Sequence, residues 1–256
     1  MKVKSIPGFR LLALNLALIL LCTVCLPTMA SAASGSYDIY IGNTHFKSTE
    51  SASGSGWAYD PDYGILVLSG YSGGPIYADG GDLFIASSGN NTVTGNRSQG
   101  GGTGNAIEAV TSTSTSDDHT LVQIYVYDGT LTVKGSTNSA GNGANAIRAY
   151  GGKNDLSNIV ITVVDGDLVA DGGNGTMGGT ALFAGATVEI YSEPWYAAAP
   201  DGSQFYAGRE GIGEVRITGG DATSRTNTAG AGIFATGIYL DVNGTITGGY
   251  ARDSRG

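Results

Sequence analysis

Cysteine is nearly missing from this 256-residue chain, with only Cys22 and Cys25. Both lie in the first segment, so the rest of the chain has no disulfide, thiol nucleophile or cysteine-held metal. Basic residues are sparse, 13 against 22 acidic ones, for a formal charge of -9. Nucleic acid and anionic membranes are therefore excluded as partners, because phosphate binding needs clustered Lys and Arg. The two histidines, His45 and His119, are isolated from each other. That leaves transition-metal and triad chemistry without support. Proline is scarce at 6, and no G-x-y register runs through the 43 glycines, which excludes a collagen-like chain. No stretch after the first segment carries a helical period.

The first segment places Lys2, Lys4 and Arg10 before an apolar run from Leu11 to Leu21, then Pro27 and Ala30-Ser31-Ala32. This layout predicts a secretory signal peptide over residues 1–32, with no membrane insertion after its removal. Its loss would take the formal charge to -12. The mature chain is then expected outside the cell or at its surface.

What is abundant is glycine between short Val-, Ile-, Leu- and Thr-rich runs that alternate with period two, and this predicts an all-β chain. Five segments share one mould: Pro75-Ile76-Tyr77-Ala78, Asn105-Ala106-Ile107-Glu108-Ala109, Asn145-Ala146-Ile147-Arg148-Ala149, Thr180-Ala181-Leu182-Phe183-Ala184 and Ala231-Gly232-Ile233-Phe234-Ala235. Each is followed by a second apolar run, and most by a third: Thr92 to Thr94, Thr130 to Val133, Asp167 to Val169 and Thr245 to Thr247. The steps between copies vary from 30 to 51 residues, as loops can and stacked strands cannot. One such coil buries too little apolar surface to order itself, so neighbours must share a core. The expected fold is a right-handed parallel β-helix (β-solenoid) of about five three-stranded coils over 71–256, with an N-terminal cap and lead-in strands over 33–70. Within the cap, strands are expected at Tyr37 to Ile41 and Ile65 to Leu68, with a flexible stretch at Ser51 to Gly56. At the far end, either Tyr250 to Gly256 folds over the exposed edge or the chain continues beyond Gly256, and the continuation is expected first.

The lead-in segment reads Tyr37-Asp38-Ile39-Tyr40-Ile41-Gly42, Gly56-Trp57-Ala58-Tyr59-Asp60-Pro61 and Gly64-Ile65-Leu66-Val67-Leu68-Ser69-Gly70-Tyr71. With Gly81-Asp82-Leu83-Phe84-Ile85 and Gly89-Asn90-Asn91-Thr92-Val93-Thr94-Gly95, it resembles a family of secreted bacterial repeat proteins often labelled carbohydrate-binding. Members of that family are similar to the pectate-lyase-like right-handed β-helices. The resemblance implies a polysaccharide-binding role at the surface or outside the cell, with calcium as an optional partner. Separately from it, a monomer is expected.

Alternation puts Ile76, Ile107, Ile147, Leu182 and Ile233 inward, so Tyr77, Glu108, Arg148, Phe183 and Phe234 form an outward ladder. Aromatic faces and polar groups together suit sugars, and this ladder is the first candidate carbohydrate site. A cross-strand Glu108–Arg148 ion pair beneath loop-covered aromatics is the competing reading. A second outward set comprises Phe84, Tyr125, Tyr127, Glu189, Tyr191, Tyr239 and Asp241. The insertion from Glu193 to Gly213 adds Trp195, Tyr196, Phe205, Tyr206 and Arg209 as further candidates on a long loop, with a satellite hydrophobic plug as the equal alternative. The outward threonines of the third strands are broken by Asp167 and Val169, and then by Asp221, which argues against an ice-binding array.

Calcium takes six to eight oxygens, and Asp165, Asp167 and Asp171 are the candidate ligands. Asp60 with Asp62 and Asp79 with Asp82 are further acidic pairs, although Asp beside Gly is also ordinary turn chemistry. No carboxylate pair marks a glycosidase. A calcium-dependent polyuronate lyase would have to use Arg148 beside Glu108. The sequons at Asn90, Asn96, Asn174 and Asn243 are read as turns. Binding or adhesion without catalysis is therefore expected first, with a lyase or a structural spacer as alternatives.

Overall fold

The computed structural model describes residues 36–98, 103–111, 119–138, 140–152, 155–192, 196–198, 204–206, 213–223 and 227–251. The signal peptide expected over 1–32 lies outside them. Among the described residues the chain is all-β, and no helix is long and apolar enough to cross a membrane.

Strands are numbered in chain order. β1 (Asp38–Ile41) and β2 (Thr44–Lys47) form an antiparallel hairpin. β3 (Ala52–Gly54), β4 (Trp57–Asp60) and β5 (Ile65–Ser69) form an antiparallel meander. The stretch expected to be flexible at Ser51 to Gly56 thus contains β3, because Gly54 accepts the Trp57 indole above its bare Cα. β6 (Ser72–Gly73) follows.

From here the chain visits three sheets in turn. The first round is β7 (Ile76–Asp79), β8 (Leu83–Ser88) and β9 (Asn91–Thr94). The next two are β10 (Ile107–Thr111), β11 (Leu121–Val126), β12 (Thr130–Lys134), and then β13 (Ile147–Gly151), β14 (Asn158–Val163), β15 (Asp167–Asp171). The fourth is β16 (Leu182–Phe183), β17 (Thr187–Ser192) and β20 (Glu214–Thr218), and the fifth β21 (Ile233–Phe234), β22 (Gly237–Asp241) and β23 (Asn243–Thr247). Between β17 and β20 sits a hairpin of β18 (Tyr196–Ala198) and β19 (Gln204–Tyr206). β20 is the third strand that the sequence pattern misses, since the insertion separates it from its own round.

The sheets run in the orders β2-β1-β7-β10-β13-β16-β21, β3-β4-β5-β8-β11-β14-β17-β22 and β6-β9-β12-β15-β20-β23. β1 meets β7 antiparallel, and every pair in these sheets whose two strands are both β5 or later is parallel. Alternation explains each strand: β11 buries Val122, Ile124 and Val126 and leaves Leu121, Gln123 and Tyr125 half-buried. Like residues then meet like residues along the stack. Ile76, Ile107, Ile147, Leu182 and Ile233 are in register in the first sheet. Ile85, Ile124, Ile161, Ile190 and Leu240 are so in the second.

The two ends differ. At the amino end Phe46, Trp57 and Tyr59 turn inward and close the core, with Phe46 stacked on Trp57 at 5.8 Å between ring centroids. The tyrosine hydroxyls find backbone acceptors: Tyr37 donates to the Asp82 carbonyl, Tyr59 to Ser48 and Tyr71 to Gly74. Burial pushes the Tyr71 hydroxyl up to about 12. In the last round Ile238, Leu240 and Ile246 occupy columns that are sealed in earlier rounds, yet Ile238 is 52% exposed.

Candidate functional site

The period-two pattern of the first sheet brings the expected ladder together and lengthens it. His45, Tyr40, Tyr77, Glu108, Arg148, Phe183 and Phe234 lie opposite one another on seven successive strands. Their contacts run along the row. Tyr40 stacks on His45 at 4.4 Å and tilts against Tyr77 at 5.7 Å. Arg148 Nη1 donates to Glu108 Oε1 at 2.7 Å, and its guanidinium lies 4.7 Å from the Tyr150 ring centroid and 5.7 Å from that of Phe183. Phe183 and Phe234 stack 5.0 Å apart with planes 4° from parallel.

The outward position of Glu108 in the sequence does not make it accessible. It is 1% exposed, because Thr103 from the preceding loop donates to its Oε2 at 2.6 Å while Arg148 covers Oε1. This corrects its expected role as a ligand contact. Strands about 4.8 Å apart hold these rings face to face, so the ladder spends its π-faces and charges on itself. Phe234, at 56% exposed, keeps the most open ring. Burial first, then the Asp79 and Glu108 carboxylates and Tyr40, push the Tyr77 hydroxyl up to about 12. Beside the row, Asp38 receives Lys47 Nζ at 2.8 Å and His45 Nε2 at 2.6 Å. Lys47 and then His45 hold its carboxyl below the usual range.

On the second sheet, Phe84, Gln123, Val160, Glu189 and Tyr239 form one outer row. Tyr125, Thr162, Tyr191 and Asp241 form the next. Here too neighbours engage each other: Gln123 donates to the Tyr125 hydroxyl and Tyr191 to Glu189.

The third sheet carries a different row, Thr94, Lys134, Asp171, Thr218 and Thr247. Each is followed by glycine: Gly95, Gly135, Gly172, Gly219 and Gly248. The reason lies in the corner behind them, where backbones of adjacent rounds touch. Gly173 N donates to Ala144 O, Gly179 N to Gly173 O, Gly220 N to Gly179 O and Gly230 N to Gly220 O. A Cβ on Gly172 would drive into the Gly179 carbonyl. The result is a side-chain-free strip, the floor of a trough of about 370 Å³ lined by Lys134, Asp171, Thr218, Asn174 and Asp221 with the intervening glycines. Its far wall is itself stacked, since Asn174 Oδ1 accepts from the Asp221 amide and Asp221 Oδ1 from Tyr250.

The calcium set is not brought together. Asp167 and Asp171 stand at opposite ends of β15, on the order of 13 Å apart at about 3.3 Å per residue. Asp167 Oδ1 accepts from the Glu214 amide, a turn-to-turn bond between rounds. Among the described residues no group of three His, Cys, Asp or Glu could hold a metal ion. Asp60 and Asp82 likewise cap the amides of Asp62 and Leu121. Trp195 and Arg209 lie outside the described residues, and Tyr196 opens β18 opposite Tyr206.

Sequence reasoning missed Tyr40, His45, Thr103 and Tyr150 around the ladder. It also gave no site role to Lys134, Asn174, Thr218 and Asp221 around the trough. Extending the alternation past Thr132 and Val169 by two residues reaches Lys134 and Asp171. Thr218 needed β20, and Asn174 and Asp221 were hidden in turns. Comparison with protein-family models, with curated proteins and with solved structures finds no match to this chain.

Proposed function

We propose that this protein is a secreted right-handed β-solenoid that binds a linear polysaccharide along its outer surface, as an adhesion element without catalysis. The observation that carries the reading is the in-register repetition of outward side chains in all three sheets. Outward positions recur at each strand step of about 4.8 Å, a spacing comparable to one sugar unit, so a chain of sugars lying along the stack meets one outward side chain of each row per step. The basic, apolar and small-residue order of residues 1–32 supports export, and the resemblance of the lead-in segment supports a carbohydrate partner. Right-handed winding is the favoured hand for parallel crossovers.

The lyase alternative finds little support, because the guanidinium of Arg148 is already committed to Glu108 and two rings. A structural spacer is favoured by one observation, the internal pairing of the first-sheet ladder. Affinity electrophoresis through gels containing single polysaccharides separates these readings. Retardation in at least one gel is expected, with no unsaturated product from polyuronate and calcium. Migration unchanged in every gel would leave the spacer standing and sink the binding reading.

A further inference from the structure

We infer that the glycan lies in the third-sheet trough, and that it is a neutral, hydroxyl-rich polysaccharide rather than an acidic one. This rests on the polysaccharide-binding reading above and assigns it a site and a substrate class.

The first argument is availability. Among the described residues, the side chains of Lys134, Asp171 and Thr218 make no hydrogen bond or ion pair. Lys134 and Asp171 are direct cross-strand neighbours of opposite charge, yet they form no salt bridge. Asn174 uses Oδ1 within the wall and keeps both Nδ2 donors. The ladder of the first sheet shows the opposite, with its carboxylate buried and its rings stacked on one another.

The second argument is shape. Glycine is required behind the row by the touching backbones, so the floor is bare and a flat ring can approach it. The volume of about 370 Å³ lies in the lower part of the roughly 300–1,000 Å³ range of small-molecule sites. It stretches over three successive strands, β12, β15 and β20, two steps of about 4.8 Å.

The third argument is chemistry. One ammonium, one free carboxylate, a hydroxyl and a carboxamide supply donors and acceptors in alternation, which suits vicinal hydroxyls that both give and receive hydrogen bonds. A polyuronate would have to approach Asp171 and Asp221 against a chain of formal charge -9, with Lys134 as the one cation among the described lining residues.

The test is affinity electrophoresis of the purified protein on soluble β-glucan, glucomannan and dextran, with polygalacturonate and alginate as acidic probes. Asp171→Ala/Thr218→Ala and the single exposed change Lys134→Ala are compared with Phe234→Ala, all checked for an unchanged urea midpoint. Expected is retardation on a neutral polysaccharide that weakens at least tenfold in the double variant, weakens in Lys134→Ala and weakens less in Phe234→Ala than in either. If Phe234→Ala abolishes retardation while the trough variants keep it, the trough is wrong and the polysaccharide reading stands. Stronger retardation on the acidic probes overturns the substrate class. No retardation of the wild type on any probe overturns both.

Discussion

Glu108 shows how far a single residue can be read from its position. Period-two alternation placed it on the outer face, and its pairing with Arg148 followed from the coil alignment. Its burial did not, because Thr103 reaches it from a loop that no periodicity describes. The structure makes Arg148→Ala the costlier change, since it leaves a buried carboxylate with Thr103 alone. A loss of about 3 kcal/mol is expected in urea unfolding. The double variant Glu108→Ala/Arg148→Ala should lose less than the two single changes together. Asp82 offers a pH-dependent counterpart. Burial raises its pKa against the opposing Leu121 amide bond and the nearby His119. The folded state therefore holds the proton more tightly than the unfolded one, and stability falls as pH rises from the unfolded to the folded pKa. Asp82→Asn keeps an acceptor for Leu121 and removes that fall. It should be more stable than wild type at pH 7 and equal or lower at pH 3, measured by thermal unfolding at both.

At the scale of elements, the strands of the five rounds were legible where apolar residues alternated, as in Leu121–Val126. β20 was not, because the insertion containing β18 and β19 breaks the Gly-bounded rhythm that marks the other third strands. Residues 44–60 were also illegible, since Phe46, Trp57 and Tyr59 turn inward from short polar runs whose partners are antiparallel and local. The glycines, read from sequence as punctuation, prove to be contacts. The backbone seam through Gly173, Gly179 and Gly220 stitches adjacent rounds where no side chain fits. Gly179→Ala would press a methyl group into the Ala144 carbonyl. Destabilisation of about 1–3 kcal/mol is expected, read as a lower urea midpoint with an unchanged slope.

Across the whole molecule, an aromatic plug closes one end and an open apolar column ends the other. Amide exchange should follow that gradient, slowest in β8 and β11 at the centre of the second sheet and fastest in β22 and β23. Equal protection in all five rounds would contradict it. The ladder, the trough and the proposed glycan path all require outward residues of successive rounds to lie in register. Removing residues 1–32 leaves no native cysteine, so engineered pairs report register directly. Val169 faces Arg216 across β15 and β20, while Thr218 is two residues further along the same face. A disulfide tolerates Cα separations up to about 7 Å. Val169→Cys with Arg216→Cys should oxidise to an intramolecular bridge, and Val169→Cys with Thr218→Cys should stay reduced. Efficient bridging of the second pair, or none in the first, would contradict the stacked register.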